Sequence, residues 1–361
     1  DKSSLCPKFI AAVVELQMNR KTSRAKVWWH AIRYHYVTPS IFPAVVGGLV
    51  SWANGKFYLW LFILVMIVII INHLGLNMAD DYFDYKHAAD KLKPGEKNPY
   101  TGGSGTLNGG AIKPTTMLAA LSVCFLITIS IGLYLAAIRG PPILFFGLFG
   151  VFCAVFYTAP PLNFGYRGLG ELTILVNFGV IIGLGAYFIQ SQMFTLEAFL
   201  ATFPIGLLVF SLIVINEIPD MEEDRLAGKF TLVVRYGRLK AVKLYIISWI
   251  CAFAVIVGAV MLSLIPVFCL LALLSLPLVF KSTKILREHY NHPVLLAPSN
   301  LGTIKTLTVT SFGLIAGYTI QGILNGASLT QIAIILLIVS AVYAPAAIPV
   351  SHPSKNNSFA F

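Results

Sequence analysis

Ten apolar stretches, each long enough to cross a hydrocarbon layer about 30 Å thick, constrain this chain more than any other feature. They run over 36–54, 57–78, 116–138, 141–158, 170–190, 197–217, 241–262, 264–280, 306–325 and 328–348. Read as helices, they predict an all-α, polytopic transmembrane bundle of ten helices, or nine if one of the last pair lies along the interface. Composition agrees: 57% of residues are hydrophobic and 11% charged, against about 25% charged in a soluble domain. Mean hydropathy is +0.80. A soluble globule, a collagen, a disordered chain and a disulfide scaffold are all excluded. The five cysteines have no CxxC spacing, and Cys124, Cys153, Cys251 and Cys269 fall inside apolar runs, where they read as small hydrophobes.

The expected organisation is a basic, amphipathic interfacial segment over 1–35, a membrane domain over 36–325, and an extra helix and tail over 326–361. Residues 1–35 show no short apolar core with a cleavage site, so no signal peptide is expected there. The net charge of +11 would suggest nucleic acid on a soluble protein. Here 24 of the 26 Lys and Arg fall on one side of the spans, and only Lys56 and Arg139 on the other. The basic excess is topology, which places the termini and even-numbered loops in the cytoplasm and predicts no nucleic-acid partner.

Acidic residues are distributed more tellingly. Of 15 Asp and Glu, five are Asp80, Asp81, Asp84, Asp90 and Glu96, and five are Glu217, Asp220, Glu222, Glu223 and Asp224. The two clusters follow spans two and six, so both face the cytoplasm. At helical spacing Asn77, Asp81 and Asp84 share a face, with Asp80 beside them, and Asn216, Asp220 and Asp224 stack likewise. Pro219 is expected to loosen the second helix.

Carboxylates on one stripe repel unless a cation sits among them. Hard oxygen ligands suit Mg²⁺, which takes one or two carboxylates and completes its shell with water and phosphate oxygens. Two facing stripes would therefore hold a diphosphate. The Gly-rich segment 101–110 lacks the Gly-Lys-Ser/Thr of a P-loop and reads as a lid or a connector. His73, Tyr157, Phe164, Tyr166 and Tyr187 read mainly as packed residues, with a pocket lining as the alternative.

These residues carry a resemblance. Asn77, then Asp81-Tyr-Phe-Asp84 and Asp90, is similar to the first aspartate-rich motif of the UbiA-type intramembrane prenyltransferases, with Asp80 where that superfamily usually has Asn. The run from Asn216 through Asp220, Asp224, Gly228-Lys229 and Arg235 resembles its second motif and tail. Within the superfamily, the tail, the Asp84-to-Asp90 step and the 157–190 stretch resemble the 1,4-dihydroxy-2-naphthoate polyprenyltransferases of menaquinone synthesis. The resemblance covers about 28–325.

It implies a helical bundle around a lipid-accessible cavity and transfer of a polyprenyl group from its diphosphate to an aromatic acceptor, with Mg²⁺ as cofactor and membrane lipids as surroundings. It implies Asp81, Asp84, Asp220 and Asp224 as catalytic residues. Asp80, Asp81, Asp84, Asp90, Asp220 and Asp224 would bind metal, and Asn77, Lys86, Asn216, Lys229 and Arg235 would contact substrate. Another acceptor, such as 4-hydroxybenzoate, a chlorophyllide-like ring or a lipid, is the nearest alternative. A secondary transporter is the alternative from another class, but transporters bury ionisable groups near the bilayer midplane. Here the spans are nearly free of charge.

Overall fold

The computed structural model describes residues 23–87, 98 and 100–347. Asp90, Lys91, Lys93, Glu96 and Lys97 lie outside the described residues. The described chain is helical without strands. The helices are α1 (Arg24–Ile32), α2 (Thr38–Ala53), α3 (Leu59–Lys86), α4 (Pro114–Arg139), α5 (Pro142–Phe156), α6 (Gly170–Ser191), α7 (Leu196–Leu226), α8 (Leu232–Tyr236), α9 (Arg238–Met261), α10 (Val267–His289), α11 (Ala297–Leu324) and α12 (Leu329–Ala346).

Among the described residues nine helical segments are long and apolar enough to span a membrane, with α1 and α2 taken together. The short one is α5, not either of the last two. Its 15 residues reach about 22 Å at 1.5 Å per residue. Prolines bound it: Pro141 and Pro142 open the helix, and Pro160 and Pro161 follow its end.

The spans of α3 and α7 overrun their apolar cores. They contain 28 and 31 residues, or about 42 and 46 Å, so both continue past the hydrocarbon as helix. The acidic clusters therefore sit on the last turns of two helices rather than in loops. Pro219 is accommodated inside α7, which continues unbroken to Leu226. Both C-termini carry the negative end of a helix dipole, which adds to the pull of the carboxylates on cations.

Every residue of α2 is buried, because α3, α6, α7, α11 and α12 pack around it. Small residues permit this. A Cβ at Gly47 would strike the backbone of Gly183 on α6, and one at Gly206 would strike Gly179; helices in lipid associate through such close approaches. Within α6, residues Asn177–Ile181 form a π turn, a feature that shifts the side-chain register and often lies beside a site. The last helix docks on the start of the bundle, where Tyr34 Oη donates to Val342 O at 3.1 Å and the Tyr343 and Phe312 rings meet edge to face.

Candidate functional site

One cavity of about 230 Å³ opens where α3 and α7 end. Its deep wall is apolar, built from Pro39, Leu76, Ile174, Phe178, Val209, Leu212 and Ile213. Its mouth is polar: Asp80 and Asp84 from α3 face Asp220, Glu223 and Asp224 from α7, with Arg33, Asn77, Asn216 and Lys229 among them. Both acidic stripes thus open into a single space.

The α3 stripe is rotated from the expected one. Asn77, Asp80 and Asp84 line the cavity, while Asp81 does not. At about 100° per residue, Asp81 points roughly 60° round the helix from Asp84. It is 4% exposed and accepts from the Ser104 amide at 3.1 and 3.3 Å, tying down the Gly-rich segment. Asp80 takes the exposed register: Oδ2 pairs with Arg33 Nη2 at 2.7 Å, and Oδ1 is buried with no hydrogen-bond partner.

Residues 100–103 roof the mouth and join the two stripes. Thr101 Oγ1 donates to Asp220 Oδ1 at 2.9 Å, and Arg33 Nη1 donates to Gly102 O at 3.4 Å. Gly102 has φ 87°, the left-handed conformation that glycine supplies without steric cost. The segment is therefore a built part of the site.

Lys229 crosses from the second motif to the first. Its Nζ lies 3.7 Å from Asp84 Oδ2 and over the Tyr166 ring at 5.6 Å, while Tyr166 Oη donates to Asp84 Oδ1 at 2.7 Å. Burial works against the Lys229 ammonium, but Asp84, Asp224 and Asp80 outweigh it and hold the side chain charged, well above the ordinary lysine value. Burial, then the neighbouring Asp84 carboxylate, pushes the Tyr166 phenol up, so it stays a donor. Tyr157, on the cavity wall, is likewise held neutral by burial.

Two expected contacts are corrected. Lys86 is exposed at the end of α3 and sits over the Tyr82 ring at 5.1 Å, because two residues beyond Asp84 is the opposite side of a helix. Arg235 is exposed and clasps two loops, donating to Phe230 O at 3.0 Å and Arg167 O at 2.7 Å. Neither lines the cavity. Of the uncertain aromatics and His73, Tyr157 and His73 reach the wall, the latter with Nδ1 2.6 Å from Ser40 Oγ. Tyr187 is core, and Phe164 packs on Phe152.

Several site residues escaped the sequence reading. Arg33 sits in a left-handed turn, φ 46°, that aims its guanidinium at the α3 stripe; only its place just before the first span hinted at this. Glu217, one of the acidic cluster that follows span six, also lines the wall.

Among the described residues no three Asp, Glu, His or Cys side chains close into a metal cage by themselves. The donor set instead suits a hard cation that draws part of its shell from water and phosphate. The unpartnered Asp80 Oδ1 in a carboxylate-lined mouth fits that chemistry.

Residues 40–297 match the UbiA prenyltransferase family. The chain is 28% identical over 258 residues to the 1,4-dihydroxy-2-naphthoate octaprenyltransferase of Bacillus subtilis, covering 72% of this chain and 81% of that protein. It is 27% identical over 310 residues to the Escherichia coli protein of the same name, covering 82% and 96%. Among solved structures it is similar to a UbiA homologue from Archaeoglobus fulgidus bound to GPP and Mg²⁺, with a TM-score of 0.57 at 13% identity over 80% of this chain and 99% of that one; this likeness concerns the fold. The family match spans the segment that supplies α3, α7 and the cavity between them, and the chain belongs to the UbiA prenyltransferase family, a multi-pass membrane enzyme that transfers prenyl groups.

Proposed function

We propose that this enzyme transfers a polyprenyl group from polyprenyl diphosphate to 1,4-dihydroxy-2-naphthoate, with loss of CO₂, as a step of menaquinone synthesis. The observation that carries the reading is the two-ended cavity, with two carboxylate stripes at its mouth and an apolar wall behind them. A long prenyl diphosphate has the same division between charge and hydrocarbon. The naphthoate acceptor follows from the names of the Bacillus and Escherichia relatives.

Asp80, Asp84, Asp220 and Asp224 would hold Mg²⁺, which supplies neutralisation of the diphosphate charge as the allylic C–O bond breaks. Lys229, charged and pointing into the mouth, offsets leaving-group charge directly. Asn216 contacts the diphosphate, Asn77 donates Nδ2 to the Ile32 and Arg33 carbonyls and so has Oδ1 to offer the mouth, and Asp81 holds the roof over them. Phe178, Val209 and Leu212 shield the allylic carbon from water, which would otherwise capture it. The neutral ring of Tyr157 offers its face to developing positive charge. The electron-rich naphthol ring attacks through carbon at the position bearing the carboxylate, and CO₂ departure restores aromaticity, so no protein nucleophile takes part.

The mouth faces the cytoplasm in this reading, by the asymmetry of 24 of 26 basic residues. Residues 36–325 form the catalytic domain, and Arg33 reaches its mouth from just before it. The test is incubation of purified protein with Mg²⁺, a labelled polyprenyl diphosphate and a panel of acceptors, with mass analysis of products. CO₂ release matching prenylated naphthoate one for one is the expected result. Efficient prenylation of 4-hydroxybenzoate with its carboxylate retained, and none of the naphthoate, overturns the acceptor assignment.

A further inference from the structure

Three asparagines distant in sequence form a buried chain that ends at the cavity. Asn98 is 3% exposed and Asn300, in the first turn of α11, is 0% exposed. Asn98 Nδ2 donates to Asn300 Oδ1 at 3.0 Å, and Asn300 Nδ2 donates to Asn216 Oδ1 at 2.8 Å.

An amide side chain can be turned over without changing its shape, so its donor and acceptor ends must be deduced from what surrounds it. Here the backbone decides. The Tyr100 amide can only donate, and it meets Asn98 Oδ1 at 3.0 Å. The Pro293 carbonyl can only accept, and it meets Asn98 Nδ2 at 3.2 Å. Asn98 is therefore fixed at both ends. Its Nδ2 dictates that Asn300 presents Oδ1, and the Ile215 carbonyl, 3.3 Å from Asn300 Nδ2, demands the same orientation. Asn216 must then turn Oδ1 toward Asn300, which leaves its Nδ2 donor for the cavity that it lines.

We infer that Asn98 and Asn300 are positioning residues that lock Asn216 as a hydrogen-bond donor to the diphosphate, rather than as an oxygen ligand to a cation. The inference rests on the proposed prenyl diphosphate substrate and deepens it. Among carboxylates that repel a diphosphate, a neutral donor of fixed direction favours the anion at no charge cost. Held by the buried Asn300, it loses little freedom on binding.

Asn300→Asp keeps the shape and reverses the polarity. The new carboxylate still accepts from Asn98, but it has no donor for Asn216. Asn216 then turns over, donates inward, and shows Oδ1 to the diphosphate. The expected result is a rise of about 10- to 100-fold in the KM for prenyl diphosphate and in the Ki of inorganic diphosphate, the scale of a lost hydrogen bond to a charged group. The acceptor KM should stay within about twofold.

In the Asn216→Ala background there is no amide to orient, so adding Asn300→Asp should change either constant by less than about twofold. A merely structural role for Asn300 would instead weaken both backgrounds equally. If Asn300→Asp fails to give a monodisperse protein, Asn98→Asp provides the second variant, since a carboxylate there favours the turned-over Asn300 against the pull of the Ile215 carbonyl and passes the reversal on to Asn216. An unchanged diphosphate KM in an otherwise active Asn300→Asp enzyme, or an equal rise in both backgrounds, overturns the inference alone. Absence of prenyl transfer by the wild-type protein to any acceptor would overturn the substrate reading, and the inference with it.

Discussion

Replacing Lys229 by Gln removes a cation that reaches from the second motif to an α3 carboxylate. Lys229 and Asp84 are 18% and 15% exposed and 3.7 Å apart. At an effective dielectric of about 20, two unit charges at that separation attract by roughly 4 to 5 kcal/mol. Much of this repays the desolvation of both groups, so the folded protein should lose only about 1–3 kcal/mol.

The catalytic cost is separate. A hydrogen bond to a charged partner contributes about 1.5–3 kcal/mol, and each 1.36 kcal/mol is a tenfold change in rate. Without the ammonium, kcat/KM for prenyl diphosphate should fall by about 10- to 150-fold. The acceptor KM should stay within about twofold, because the lost charge acts on the leaving group. Lys229→Arg should recover part of the loss, since it restores charge with altered geometry. The assay is initial-rate kinetics with each substrate varied in turn, on detergent-purified protein whose melting temperature has been recorded. A folded Lys229→Gln enzyme with kcat/KM within about twofold of wild type would refute the reasoning.

Asp84→Asn and Asp220→Asn, each removing one cavity carboxylate, should abolish turnover at limiting Mg²⁺; wild-type rates for both folded variants would exclude the metal role. Arg235→Ala breaks the clasp between the 167 and 230 loops and should lower the melting temperature while leaving the diphosphate KM within about twofold, whereas a tenfold rise would return Arg235 to the substrate site. Gly47→Leu drives a side chain into the Gly183 backbone and should prevent a monodisperse bundle; a wild-type melting temperature would contradict the close approach of α2 and α6. For topology, cysteine probes at Asn54 and Ser191 should label from outside intact cells and probes at Gly103 and Gly228 should not, and outside labelling of Gly103 would invert the orientation.

The sequence by itself determined the bundle and the general place of its site. Spans are legible because each must satisfy its backbone hydrogen bonds internally and present apolar side chains to lipid, which leaves long uniform runs. The acidic stripes are legible because carboxylates grouped at helix ends stand out in a chain with 11% charged residues. The short α5 could be anticipated from its flanking prolines, yet apolar length alone made it look like the other spans.

Tertiary structure decided what depends on relative rotation and on contacts between distant segments. Periodicity put Asp81 on one face with Asn77 and Asp84, with Asp80 beside them, and only the packing of α3 against its neighbours turned Asp80 to the cavity and Asp81 to Ser104. The same rotation carried Lys86 outside, and the fold of the 167 and 230 loops drew Arg235 away. Arg33 is 47 residues from Asp80, and Asn300 is 84 from Asn216 and 202 from Asn98. No local pattern encodes such pairs, because a hydrogen bond between helices depends on where the bundle brings them together, and that is set by small residues such as Gly47 and Gly183 far from the site.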